Sequence, residues 1–232
     1  MAVITISRKL GSRGDYIAEK VAQVLDYHYV DKEFIGRVLS QYGLIEFDKE
    51  YDNLPGFWEK FNSQKEERRE LMVDMLNRVM RAVAHHGNVV ILGRSGFSVF
   101  QGFGDVLNAR IQAPFSFRVT RVMEQEEITY EEADALVKQD DRVRSTFVKS
   151  FYGVQWDAPN AFDLLIDTGK ISPELAIRWL VEAIRELEKR EAGDKLTTAS
   201  IQVDSVLAET ISTELQREVA DKQSVDMTLE PI

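Results

Sequence analysis

Hydrophobic positions along the chain switch between two periods. Val3–Ser7 (VITIS) is a short β-branched run ending at a glycine-containing turn, Gly11-Ser12-Arg13-Gly14. The next apolar positions, Ile17, Ala18, Val21, Ala22 and Leu25, share one helical face. His28–Val30 predicts a second short strand and Glu33–Ser40 a helix. Val89–Leu92 is an uninterrupted apolar run closed by Gly93, as in a strand buried on both faces. Leu107–Gln112, stopped by Pro114, and Phe162–Asp167, stopped by Thr168-Gly169, predict two more strands. Between them, Gln64–His86 sets Leu71, Met72, Met75, Leu76, Val79, Met80 and Val83 on a stripe of three-to-four spacing. Pro173–Arg190 does the same with Leu175, Trp179, Leu180, Ala183, Ile184 and Leu187. Strand–helix alternation of this kind predicts an α/β fold, a parallel sheet with helices on both faces.

Two stretches break the rhythm. Tyr42–Asn62 is polar, aromatic and acid-rich, with Pro55-Gly56, and predicts a loosely packed insertion. After Arg190 the chain turns polar and small, then carries one more amphipathic segment, Val206–Val219, with Leu207, Ile211 and Leu215 four apart. Residues 193–232 are expected to be a linker and an accessory helix, dispensable for a domain spanning 1–192.

Composition narrows the chemistry. The 232 residues are 44% hydrophobic and carry 29 Lys and Arg against 39 Asp and Glu, a net charge of −10. That balance argues against a general surface for nucleic acid or anionic membrane, while leaving room for local phosphate sites. Cys is absent and His occurs only three times (His28, His85, His86), which excludes thiol catalysis, thiolate zinc sites and disulfides. Arg8 and Lys9 arrive too early for a signal-peptide core, and no apolar run has the length of a bilayer span. The expectation is a soluble cytoplasmic protein.

A strand, a glycine-containing turn and a helix present backbone N–H groups and a helix N-terminus to phosphate. The turn here is Gly11-Ser12-Arg13-Gly14-Asp15-Tyr16. Set against the Walker pattern, Asp15 falls where Lys is usual and Tyr16 where Ser or Thr is usual. Asp15 also has a plain structural reading as a helix N-cap. Arg94 ends a strand at the sheet edge where ligands bind in open α/β folds. Arg118 and Arg121 share a helical face, and Arg142, Arg144 and Lys149 lie in a segment that also holds Asp140 and Asp141. The alternative for Arg94 is a structural Asp as its partner, and for the helical residues it is salt bridging on a solvated helix.

The set of motifs resembles the cytidylate kinase-like family, a branch of the P-loop nucleoside monophosphate kinases. The resemblance lies in Ile4-Thr5-Ile6-Ser7-Arg8 with Gly11-Ser12, Gly14 and Ile17-Ala18, and in Val30-Asp31 followed by Lys32-Glu33-Phe34-Ile35. It continues through Ile91-Leu92-Gly93-Arg94, Ala113-Pro114 with Phe117-Arg118 and Arg121-Val122-Met123, then Asp141, Arg144, Phe147 and Phe151-Tyr152-Gly153 with Trp156. It ends at Phe162-Asp163-Leu164 and Asp167-Thr168, and covers roughly residues 2–190.

The resemblance implies a P-loop NTPase-type five-stranded parallel sheet, a nucleotide-binding insertion around residues 36–86 and a helical lid around 138–160. It implies ATP with Mg²⁺ as the phosphoryl donor and a nucleoside monophosphate, nominally CMP or dCMP, as acceptor. Gly11, Ser12, Arg13, Gly14, Asp15 and Tyr16 would line the ATP phosphates. Asp31, Arg37, Arg94, Arg118, Arg121 and Asp163 would hold the acceptor, and Arg13, Arg142 and Arg144 would meet the moving phosphoryl group. No metal ligands are named by the pattern. Two other readings stand beside it: a non-catalytic nucleotide-binding regulatory module with an altered P-loop, and a small-molecule kinase of another kind on the same scaffold. The C-terminal extension is the expected contact for a homo-oligomer or a protein partner.

Overall fold

A computed structural model describes residues 2–43, 64–190 and 193–227. Its centre is one parallel sheet of five strands: β1 (Val3–Arg8), β2 (His28–Val30), β3 (Val89–Leu92), β4 (Val106–Gln112) and β5 (Leu164–Asp167), in the order β2-β3-β1-β4-β5. The register pairs Ile4 with Val90 on one side and with Leu107 on the other. The expected acid-rich insertion lies, beyond Gly43, outside the described residues.

Alternation along the central strands sorts side chains between two cores. Ile4 and Ile6 of β1, Val90 and Leu92 of β3 and Ala109 and Ile111 of β4 pack against α1 (Gly14–Leu25) and α7 (Pro173–Glu188). The other face carries Val3, Val89, Ile91 and Val106. It is covered by α2 (Lys32–Gln41), by α3 (Gln64–His86) and by α8 (Ser205–Met227). On that second face β1 and β4 place polar residues: Thr5 donates to Asn108 Oδ1 at 2.7 Å, and Ser7 stands beside Arg110. Each pair is in register across the two strands.

After β3 comes one short turn of helix, α4 (Gly96–Val99). The connection from β4 to β5 is a helical hairpin, α5 (Phe115–Glu126) and α6 (Tyr130–Tyr152). Thr129 and Glu132 form a reciprocal capping box at the start of α6, and Gly153 ends it in the left-handed conformation. Val119 and Val122 of α5 meet Ala133 and Val137 of α6 in a small core of their own.

Three expectations change. Leu71, placed on the inward stripe of α3, is exposed, and so is much of Trp179 on α7. The segment after Arg190 is no appendage: Leu207, Ile211 and Leu215 of α8 are buried in the core over α2 and α3. The link to it is anchored too, because Asp105 accepts hydrogen bonds from the Thr198 N–H and hydroxyl.

Candidate active site

β1 delivers the chain to the C-terminal edge of the sheet, where it turns into α1. Gly11 adopts φ +76°, and a Cβ there would strike the backbone of Arg118, so the turn requires glycine. Arg13 is the N-cap of α1 in the left-handed conformation, with no side-chain cap. The N–H groups of the first turn, beginning at Gly14, have no partner inside the helix. Ser12 is fully buried and its Oγ has no hydrogen-bond partner.

The loop is held from behind. Arg121 donates from Nη1 to the Gly11 carbonyl at 3.3 Å and to Thr168 Oγ1 at 3.1 Å, and from Nη2 to the Thr168 carbonyl at 2.7 Å. Thr168 Oγ1 in turn donates to the Ser12 carbonyl at 2.8 Å. Burial, with Arg13 nearby, lowers the Arg121 guanidinium below its ordinary pKa. With both carbonyls of the turn engaged, its outward side is left to the N–H groups at the start of α1, and the Ser12 hydroxyl lies buried beside Gly14. That is an arrangement for anions.

Several expected ligands have other duties. Arg121 clamps the loop rather than an acceptor. Arg118, nearly fully buried, forms a two-point ion pair with Asp141 at 3.0 and 2.7 Å and also donates to the Leu10 carbonyl, so both its Nη atoms are spent joining α5 to α6. Asp31 caps α2 by accepting the Phe34 N–H at 3.0 Å. Burial raises the neighbouring Glu33 carboxyl, and a hydrogen bond with Asp31 adds to the rise. Asp163 accepts the Asn108 N–H at 2.8 Å and ties β4 to the start of β5. Arg37 reaches Glu214 of α8 through Nε at 3.2 Å.

Asp15 is not the N-cap. It sits in the first turn, and Arg8 grips its Oδ1 through Nε at 3.0 Å and Nη2 at 2.7 Å. Burial alone would raise the Asp15 carboxyl; the Arg8 pair and the nearby Arg144 outweigh it and hold the group below its ordinary value. Tyr16 is exposed on the outer side of α1.

Arg94 is buried at the end of β3 within a run of three left-handed residues, Gly93, Arg94 and Ser95. Two consecutive non-glycine residues in that region store strain, which is characteristic of functional turns. On α6, Arg144 pairs with Asp140 at 2.7 Å, while Arg142 is exposed.

Sequence reading missed Arg110. It is fully buried in β4, with Nη1 donating to the Trp156 carbonyl at 2.6 Å and to Ser7 Oγ at 3.3 Å. Its guanidinium carbon lies 4.5 Å from the centre of the Trp156 ring and 5.4 Å from that of Phe162. Burial lowers its pKa to about 10, with Arg118 and Arg144 acting against Asp157 and Asp141. The Lys9 ammonium lies 5.8 Å from the centre of the same Trp156 ring. Burial first, then Arg110 and Arg118, lower the Lys9 ammonium as well. The missed signal was a charged residue inside a run otherwise apolar enough to be buried on both faces.

Cations from β1, β4 and α6 therefore converge around the turn. Ser12 with its free hydroxyl and the open α1 terminus fit the phosphates of a nucleotide. Among the described residues no group of three or more His or acidic side chains could hold a metal ion. A Mg²⁺ ion would suit such a site as a partner of the nucleotide, since it keeps waters and binds through phosphate oxygens with one or two carboxylates. Among the described residues no helix is long and apolar enough to cross a membrane.

The model of the cytidylate kinase-like family matches residues 3–170. The chain is 27% identical over 183 residues to cytidylate kinase of Ignicoccus hospitalis, covering 78% of this chain and 97% of that one. It is 28% identical over 195 residues to cytidylate kinase of Pyrococcus horikoshii, covering 83% and 94%. Among solved structures, an uncharacterized protein from Eubacterium ventriosum superposes with a TM-score of 0.63 at 19% identity, over 82% of this chain and all of the other, a likeness of fold. With the β1–α1 turn, the β3 terminus and the α5–α6 hairpin all inside the matched span, the chain belongs to the cytidylate kinase-like family.

Proposed function

We propose that the protein transfers the γ-phosphoryl group of ATP to a nucleoside monophosphate, with CMP or dCMP as the acceptor. The observation that carries this reading is the β1–α1 turn. Its carbonyls are fixed by Arg121 and Thr168, while the buried Ser12 hydroxyl and the first-turn N–H groups of α1 remain for phosphate. Phosphoryl transfer asks little covalent chemistry of a protein; it asks for two anions held in line and their charge offset.

Gly11, Ser12 and Gly14 would cradle the donor phosphates, with Arg13 exposed beside them. Arg94, on the strained turn after β3, would orient the acceptor phosphate. Arg142 and Arg144 of α6 would bring positive charge to the transferring group. Mg²⁺, when bound with the nucleotide, offsets negative charge on the phosphate oxygens. A cytoplasmic setting, where these nucleotides are abundant, agrees with this chemistry.

One observation favours a second reading. Asp15 stands in the first turn of α1, at the position where the Walker pattern has Lys, and neutralises Arg8. A binding module that senses nucleotide without turning it over would tolerate that. The test is a coupled phosphotransfer assay with ATP and Mg²⁺ over a panel of nucleoside monophosphates, with ATP binding measured separately. Turnover with CMP or dCMP above the other acceptors is expected; ATP binding with no turnover on any acceptor would establish the sensor instead.

A further inference from the structure

Arg110 is the most deeply buried charged side chain near the site, and its hydrogen bonding is lopsided. Nη1 has two partners, the Trp156 carbonyl and Ser7 Oγ. Nε and Nη2 have none, and Arg110 makes no ion pair among the described residues. These two nitrogens form one edge of the planar guanidinium, the edge whose parallel N–H bonds match two oxygens of a carboxylate or phosphate. A buried charge left this way is expensive to keep. Stacking on Trp156 and Phe162 offsets part of that cost but supplies no acceptor for either N–H.

The direction of the side chain narrows the ligand. Ala109 and Ile111, its neighbours in β4, pack toward α1 and α7, so Arg110 points to the opposite face. That face is the side of the segment between β2 and β3. The donor phosphates belong at the N-terminus of α1, on the other side. Lys9, whose ammonium lies near the same Trp156 ring, adds a second cation.

We propose that the Nε/Nη2 edge of Arg110 binds the phosphate monoester of the acceptor, which displaces Trp156 and Phe162 from the guanidinium when it enters. The assignment of that monoester to an acceptor rests on the kinase reading above; the anion site itself does not. Arg110 thereby ties acceptor recognition to the connection between α6 and β5. An acceptor lacking the monoester leaves the fork unfilled and the cover in place.

The experiment uses the full chain and direct titration with ribose 5-phosphate, CMP and cytidine, beside ATP. Wild type should bind the two monoesters and not cytidine. Trp156 fluorescence, read in a Trp58→Phe/Trp179→Phe background, should change with the monoesters only. Arg110→Met, close in volume and uncharged, should lose about 30-fold in affinity for both monoesters, the scale of a charged hydrogen-bonded contact, with ATP affinity unchanged. Arg110→Lys should also lose affinity, because a point charge cannot span two oxygens, and it serves if the Met variant does not fold. Unaltered monoester binding in either folded variant overturns the proposal. So does a wild type that binds no monoester, or one in which inorganic phosphate competes with ATP but not with ribose 5-phosphate. Monoester binding that depends on Arg110, without phosphotransfer to any nucleotide, would retire the kinase reading and leave this site standing.

Discussion

Asp15 sits one residue into α1, beside the turn proposed for the donor phosphates, and its charge is spent on Arg8. Freed of that partner, Arg8 would add positive charge next to the turn, so Asp15→Asn should raise ATP affinity a few-fold, by about 0.3–1 kcal/mol. The gain should shrink with added salt, since Asp15 is 58% exposed. The pair itself is worth at most about 1 kcal/mol of stability at such exposure. Its pH dependence has a definite sign. The folded carboxyl titrates below its ordinary value of 3.8, so the contribution is present above about pH 4 and fades as pH falls through the lower folded value. Denaturant unfolding of wild type and Asp15→Asn should differ at pH 6, and the difference should shrink as pH falls below about 4. Arg94 needs a gentler replacement than Ala, because its φ of +49° suits few side chains. Arg94→Asn tolerates that backbone, and should cost about 2–4 kcal/mol of transition-state stabilisation in kcat/KM with the fold retained. Unchanged kinetics would remove Arg94 from the site.

At the scale of elements, two connections depend on partners far apart in sequence. Arg118 and Asp141 fasten α5 to α6, with Arg118 almost wholly out of water. Asp141→Asn strands that charge and should cost about 3–5 kcal/mol, visible as a lower Tm before any effect on nucleotide binding is measured. α8 covers the α2 and α3 face with Leu207, Ile211 and Leu215. Ile211→Ala should cost about 2–5 kcal/mol, and truncation after Arg190 should give an aggregating chain rather than a cooperative folder. What was readable along the chain follows this division. The five strands and their helices were legible because each carries its own period: Val89–Leu92 could only be a buried strand, and Ile17 to Leu25 only a helix face. The partners of the arginines were not. Nothing local in Arg121 points to Thr168, or in Arg37 to Glu214; such pairs exist only once the chain has closed. Arg110 carried a local signal in the buried Ala109 and Ile111 beside it, but nothing local shows that its own face is closed by a stacked tryptophan. α8 was underestimated because a narrow apolar stripe suffices when it fills a groove between two other helices.

Across the whole molecule, ligand binding should register as stability. ATP at 100 times its Kd adds about 2.7 kcal/mol, roughly 5–10 °C in Tm for a chain of this size, and a monoester acceptor should add its own increment. A rise with ATP and none with CMP, in thermal unfolding of the full chain, would speak for the sensor reading. The bond between Arg37 and Glu214 spans 177 residues, and Gln41 donates to the same carboxylate at 2.8 Å. On the ribosome that span has a duration. At 5–20 residues per second, roughly 9–35 s pass between the making of α2 and of its partner on α8. For most of that interval, once α3 is made, the nascent chain carries Leu76, Val79 and Met80 without the last helix of their cover, so a trigger factor or other holdase has a defined window and a defined patch to shield.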